Sequence, residues 1–187
     1  CCSSYAWNRS SKRDSEDGKM KNLTALIILL ITGIGFAQAG QAKGLFTAED
    51  KPEMWCLAQN IYYEARGSNR ADRVAVADVV LNRVKHTYYP NTICGVVHQG
   101  KQYASGAMIR NKCQFSWYCD GKSDWPKDMD AWVEAQQIAY NMIAFQDARG
   151  ITEGATHYHA DYVMPNWAKD FHLVGRIGVH IFYRWDK

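Results

Sequence analysis

Hydrophobic positions recur at helical spacing through three stretches of the chain and then change to strand alternation. With Met54 as zero and about 100° per residue, Met54, Leu57, Ala58, Ile61 and Ala65 fall on one stripe, Glu64 lands at its edge beside Leu57, and Tyr63 and Cys56 face away. Thr47 or Asp50 is placed to cap this helix, with Pro52 in the first turn, where a missing N–H does little harm. Gly67 predicts its end after Arg66, since glycine tolerates the left-handed backbone that follows many helices. Asp72 is expected to cap a second helix reaching about Lys85, with Val74, Ala77, Leu81 and Val84 as its buried stripe. Asn82 and Arg83, near its end, read as ties to the following loop ahead of substrate contacts. After the turn Tyr89-Pro90-Asn91, Thr92 caps a short helix through Val97. A third long helix runs from Met129 to Phe145, with Trp132, Ala135, Ala139 and Met142 in register, and Arg149-Gly150 closes it.

After Gly150 the period becomes two. Ala155 to Ala160 alternates, so His157 and His159 share one strand face and Tyr158 takes the other. Phe171 to Ile177 and Val179 to Trp185 predict a hairpin turning near Gly178, with His180 and Phe182 on one face of its second strand. Between the helices, Gln99 to Asp128 is long and weakly periodic, which marks a functional or strand-bearing segment. There are no internal repeats. The order predicts an α+β fold, with a helical lobe, a small antiparallel sheet and a cleft between them.

Glu64 is the candidate for chemistry. A carboxylate at the margin of an apolar face, near a helix end, is partly desolvated. Desolvation raises a carboxyl pKa, as a general acid near neutral pH requires. The same position also suits a surface glutamate paired with Arg66, and spacing alone does not separate the two.

The stretch Ile61-Tyr62-Tyr63-Glu64-Ala65-Arg66-Gly67, followed by Val74-Ala75-Val76-Ala77 and Val79-Val80-Leu81-Asn82-Arg83-Val84, resembles the SleB-type cell-wall hydrolases, the family of the spore cortex-lytic enzymes. The resemblance continues through Tyr89 to Val97, Cys113-Gln114-Phe115-Ser116, Gly154 to His159 and Ile177 to Tyr183, and covers roughly residues 53 to 185. It implies a lysozyme-like arrangement acting on peptidoglycan glycan strands between N-acetylmuramic acid and N-acetylglucosamine, with Glu64 in the catalytic glutamate position. Glycosidases commonly use two carboxylates. Asp78, Asp161, Asp170 and Glu153 have no positional argument as strong as that of Glu64. This fits a lytic transglycosylase, in which the substrate's own 6-hydroxyl attacks and one carboxyl serves first as acid and then as base. The chain departs from the family pattern at Ser68, where another glutamate is usual, and at Asp72, where glycine is common.

Further contacts are expected from Gln114 and Ser116, as hydrogen-bonding groups for N-acetyl or hydroxyl substituents, with Phe115 packed behind them. Tyr158 and Trp167 offer flat faces for sugars, and His180 is either a substrate contact or a core histidine. A rival reading is a zinc amidase cutting the muramoyl–alanine bond, using His157, His159, His172 and His180. Another is a peptidoglycan-binding module in which Glu64 is dispensable. No cofactor or metal is expected for the transglycosylase reading, and a monomer is.

The first 39 residues read differently. Met20-Lys21-Asn22, the apolar run Leu23 to Phe36 and the small-residue stretch Ala37-Gln38-Ala39 match a secretory signal peptide over 20–39. An uncleaved anchor is the alternative. Residues 1–19 then read as upstream or non-native sequence, 40–52 as a leader, flexible over Gly40 to Phe46, and 53–187 as the catalytic domain. Export places the domain in the periplasm, the cell wall or outside the cell, away from any stable membrane partner once the signal is cleaved. In that oxidising setting Cys56, Cys94, Cys113 and Cys119 suggest two disulfides. Cys113 and Cys119 flank a short loop, which leaves Cys56 with Cys94; no C-x2-C spacing supports a zinc site instead. Residues 1–39 hold five of the 22 basic and three of the 19 acidic residues, so the remainder is nearly neutral, unlike a nucleic-acid-binding surface.

Overall fold

The computed structural model describes residues 44–186. The apolar run, its cleavage site, Cys1 and Cys2 lie outside the described residues. Among the described residues no helix is long and apolar enough to cross a membrane.

Four helices form: α1 (Pro52–Ala65), α2 (Arg70–Lys85), α3 (Ile93–Val97) and α4 (Met129–Ala144). Between α3 and α4 lie the strands β1 (Gly100–Gln102) and β2 (Met108–Cys113), paired antiparallel, and a 3-10 turn, Ser116–Cys119. The segment Gln99 to Asp128 is therefore strand-bearing. After α4 come β3 (His157–Ala160), a second 3-10 turn (Asn166–Asp170), β4 (His172–Ile177) and β5 (His180–Arg184). They make a sheet in the order β3-β5-β4, all antiparallel. Gly178, at φ 60°, supports the β4–β5 turn, and its Cα lies so close to the Asp72 side chain that an added Cβ would stand 2.6 Å from it.

The organising element is α2. One side, with Val74, Ala77 and Val80, joins the core shared with α1, α3 and α4. The other, with Ala75 and Val79, packs on Ala155 and Phe182 of the sheet side. Two buried faces explain why a single stripe under-describes this helix. Val76 is fully buried as well, while Leu81 and Val84 are only half-buried. In α4, Trp132, Ala135, Ala139 and Met142 are all buried, as their register predicts. Both disulfides form as expected, Cys56–Cys94 and Cys113–Cys119.

The helix ends differ from their sequence signals. Lys51, not Thr47 or Asp50, holds the N-cap position of α1 and makes no side-chain cap. Thr47 and Asp50 bond each other instead, Thr47 Oγ1 to Asp50 Oδ2 at 2.8 Å. Gly67 does not adopt a positive φ. The end of α1 is satisfied by Arg73, whose guanidinium donates to Ala65 O at 3.2 Å and Arg66 O at 2.6 Å and pairs with Glu134 of α4. A cation on the last carbonyls answers both the unpaired acceptors and the helix dipole. Asn69 caps α2 by accepting from Asp72 N, so Asp72 is not the cap. The third long helix stops at Ala144, ahead of a positive-φ Gln146, and Arg149 is used elsewhere. The leader is fixed from residue 44 onward: the buried Gln136 accepts from Leu45 N and donates to Phe46 O, both at 2.7 Å.

Candidate active site

Arg73 secures the last turn of α1, and that turn carries Glu64 to the meeting point of the helices and the sheet. The Tyr158 hydroxyl donates to Glu64 Oε2 at 3.2 Å. The other carboxyl oxygen accepts no hydrogen bond among the described residues. Burial pushes the Glu64 carboxyl up from its ordinary range. The Tyr158 hydrogen bond and the positive influence of His180 and Arg83 oppose the rise without cancelling it. Arg66 does not pair with Glu64; its guanidinium lies over the Tyr62 ring at 5.0 Å. The surface-pair reading of Glu64 is therefore replaced by a partly buried acid with a single protein donor.

The supporting shell comes from three elements. On β5, His180 is buried and its Nδ1 shares a 2.8 Å hydrogen bond with Asp72 Oδ1. Burial acts to raise the Asp72 carboxyl, but hydrogen bonds from His180, Ser68 and the Val179 N–H, with the His180 charge, hold it below the usual range. Asp72 thus anchors the sheet to α2. The His180 ring packs edge-on against Tyr158, centroids 5.1 Å apart, and Phe182 lies on the same side. On α2, Asn82 Nδ2 donates to Thr152 Oγ1 and Ala155 O, and Arg83 Nε donates to Thr156 O at 2.7 Å. These ties run to the segment between α4 and β3, not to the loop that follows α2 as the sequence suggested. They fix the strand on which Tyr158 sits.

The Cys113–Cys119 loop forms the third element. Phe115 is buried beneath the Arg83 guanidinium, 5.3 Å from its ring centre, and Trp117 stacks on Tyr63 at 4.7 Å. Gln114 and Ser116 flank Phe115 and are exposed. A cavity of ≈ 540 Å³ opens next to the last turn of α1, lined by Tyr63, Arg66, Trp117, Asp124, Trp125 and Lys127 among others.

Trp167 does not join Tyr158. Residues opposite each other in an antiparallel sheet share a face, and the pairing of Tyr158 with Phe182 and of His157 with Tyr183 puts the histidines on the other side. Trp167 packs there against His157, His159, Phe171 and Tyr183. Tyr158 is half-buried, and its hydroxyl is used as a hydrogen-bond donor to Glu64. The same alternation separates His180 from His157 and His159, so the four-histidine ligand set does not assemble. Among the described residues no three His, Cys, Asp or Glu side chains gather as a metal would require.

Sequence reading passed over Arg83 and Asp72 as members of this site. A signal for Arg83 was present: it stands in helical register with Val76, Val79 and Val80, where a buried side chain is expected.

Comparison with known proteins bears on the family and the fold. The chain is similar to the spore cortex-lytic enzyme of Halalkalibacterium halodurans, at 30% identity over 127 residues, covering 67% of this chain and 33% of the relative. It is similar to that of Oceanobacillus iheyensis at 27% over 157 residues, covering 81% and 50%. The chain thus spans between a third and a half of the length of these relatives. Its fold matches the solved catalytic domain of the germination-specific lytic transglycosylase SleB from Bacillus anthracis with a TM-score of 0.51 and 23% identity, over 76% of this chain and 99% of that one. The family model described as Cell Wall Hydrolase matches residues 67–183, beginning just after Glu64. The chain belongs to the cell wall hydrolase family.

Proposed function

We propose that this protein cleaves peptidoglycan glycan strands between N-acetylmuramic acid and N-acetylglucosamine as a lytic transglycosylase, with Glu64 as the acid and then the base. One observation carries the reading: a partly buried carboxyl, shifted toward its protonated form, with one oxygen held by Tyr158 and the other free of protein donors. Protonated Glu64 gives its proton to the glycosidic oxygen as the C1–O bond breaks. The resulting carboxylate takes the proton of the 6-hydroxyl as that oxygen closes on C1. General acid–base assistance of this kind typically contributes about 10² to 10⁴-fold. His180, held by Asp72, positions Tyr158. Gln114 and Ser116 are the polar contacts for the sugar substituents, with the aromatic floor of Tyr63 and Trp117 beside them. Two disulfides and the apolar run of residues 23–36 support action outside the cytoplasm, in the periplasm or cell wall.

Mass spectrometry of products from purified peptidoglycan tests the reading. A 1,6-anhydromuramic end is the expected product. A reducing muramic end would make the enzyme a hydrolase, and released peptide stems would make it an amidase.

A further inference from the structure

The side of α1 turned away from Glu64 carries a second set of groups. At about 100° per residue, Trp55, Gln59, Tyr62 and Arg66 form a stripe opposite Glu64. The segment before α4 is fastened to this stripe. Gln59 Nε2 donates to Asp124 O at 3.1 Å, the Tyr62 hydroxyl accepts from Lys127 N at 3.1 Å and Asp128 N at 3.0 Å, and the Trp125 ring lies 5.8 Å from that of Trp55. The ≈ 540 Å³ cavity beside the last turn of α1 is therefore preformed. Glu64 and Tyr158 do not line it, but Tyr63, the neighbour of Glu64, does, stacked on Trp117. Its charges are of both signs. Among the described residues the half-buried Asp124 carboxylate accepts no hydrogen bond and makes no ion pair. Burial, with the charge of Asp120, pushes that carboxyl above its ordinary range. The exposed Arg66 guanidinium meets only the face of the Tyr62 ring, and the exposed Lys127 ammonium has no carboxylate partner among the described residues. By contrast, Asp120 pairs with Lys122, and Asp128 caps α4 by accepting from Ala131 N. Arg66, Asp124 and Lys127 thus line one cavity with charges that the fold does not use.

We propose that this cavity is a subsite for the peptide stem of peptidoglycan, with Arg66 and Lys127 taking stem carboxylates and Asp124 taking the ammonium of the stem's diamino residue. The proposal rests on the reading above that the substrate is peptidoglycan. A glycan strand stripped of its peptides offers only the lactyl carboxylate of its muramic residues. The stem adds further carboxylates and a free amine, so it alone answers charges of both signs. Charge-assisted hydrogen bonds are the stronger kind, and a guanidinium meets a carboxylate through two N–H groups at once. Trp125, 67% exposed at the cavity, offers an apolar face to the stem's alanine methyls. The stem hangs from the muramic ring, and Tyr63 of the cavity wall adjoins Glu64 in the chain. A stem held here helps to set which ring stands at the acid.

The test titrates the protein with the synthetic stem L-alanyl-γ-D-glutamyl-L-lysyl-D-alanine and follows it by heteronuclear NMR. The peptide should shift the Trp125 indole N–H and the backbone amides of Asp124, Trp125 and Lys127. Arg66→Gln and Asp124→Asn should each weaken binding about tenfold, the size of one lost charge-assisted hydrogen bond. Neither side chain ties the fold, so both variants should melt as wild type does. Acetylating the lysyl amine of the peptide should weaken binding to wild type by a similar factor and weaken binding to Asp124→Asn no further. On stem-bearing peptidoglycan both variants should raise KM with kcat kept, and on strands stripped of their stems by an amidase they should match wild type. A peptide that leaves these resonances unmoved, or that binds both variants as tightly as wild type, overturns the proposal. So does a shift of the same resonances by an N-acetylglucosamine tetramer in place of the peptide, which would make the cavity a sugar site. Peptide binding involves no cleavage, so a failure of the transglycosylase reading would show separately, in the products.

Discussion

Asp78 and Glu64 are acidic side chains on neighbouring helices, withdrawn from solvent to different degrees, and they are treated in opposite ways. Asp78 is fully buried and fully answered. It pairs with Arg149, accepts from Gly150 N at 3.1 Å and Thr152 N at 3.2 Å, and accepts from Thr152 Oγ1 at 2.6 Å. Every donor comes from the loop after α4, so this carboxylate fastens that loop to α2. Glu64 is partly buried and receives one hydrogen bond, from Tyr158. Its charge is offset at a distance, by Arg83 and His180, and burial prevails. Burial alone therefore does not mark a reactive acid. The number and kind of donors that meet a carboxyl decide whether it is fastened into the scaffold or left with an oxygen open to a ligand.

The comparison breaks most sharply under single substitutions. Glu64→Gln should reduce glycan cleavage by about 10² to 10⁴-fold while leaving the far-ultraviolet circular dichroism and cooperative melting intact. A folded variant retaining more than half the wild-type rate would remove Glu64 from the chemistry. Asp78→Ala should do the reverse. It strands Arg149 and three donors, and losing one partner of a buried ion pair costs about 3–5 kcal/mol, readable as a lower denaturant midpoint. Any remaining folded fraction should cleave at close to the wild-type rate per folded molecule.

The disulfides sharpen the same division. Cys56–Cys94 closes a separation of 38 residues and joins α1 to α3, whereas Cys113–Cys119 closes six. In the chain-entropy model the first contributes about 4 kcal/mol and the second about 2 kcal/mol. Replacing Cys56 and Cys94 by serine should lower the melting temperature more than the activity. Replacing Cys113 and Cys119 should lower activity more, because that loop seats Phe115 under Arg83 and Trp117 against Tyr63. Melting curves and initial rates on the two double variants decide between these outcomes.

The smallest effect concerns stability and pH. The folded-state pKa of Glu64 is raised, so the native chain holds a proton that the unfolded chain releases at lower pH. Stability from this group is present below its ordinary value near 4.5 and is lost as pH rises through the folded value. Glu64→Gln removes that loss. The variant should melt slightly higher than wild type at neutral pH and gain nothing below about pH 4. A neutral-pH melting temperature below wild type would contradict the raised pKa.

Much of this was legible in the chain. The α1 stripe, the α4 register, the β3 alternation and the β4–β5 hairpin follow from local periodicity, because each element buries a face whose pattern the backbone imposes. Glu64 was legible as an acid at the edge of such a face, and the short spacing of Cys113 and Cys119 suggested their pairing, with Cys56 and Cys94 left for each other. Where elements end was less so. Gly67, Asp50 and Asp72 each carried a plausible local capping signal, yet Arg73 from the next helix closes α1 and Asn69 caps α2. Cys56, on the side facing away from the stripe, is buried because α3 folds over it through Cys94.

What the sequence alone determined is most of the helices, the β3 alternation, the β4–β5 hairpin and a carboxyl at the edge of an apolar face, since helical and strand periods and side-chain chemistry are local properties. What only the tertiary structure decided is which charges meet. Tyr158 reaches Glu64, His180 packs against Tyr158, Trp167 is carried to the far face of the sheet, and Arg83 is buried while holding Thr156. Strand register and the two-sided packing of α2 set those distances, and electrostatic coupling depends on distance and burial, which residue order does not contain.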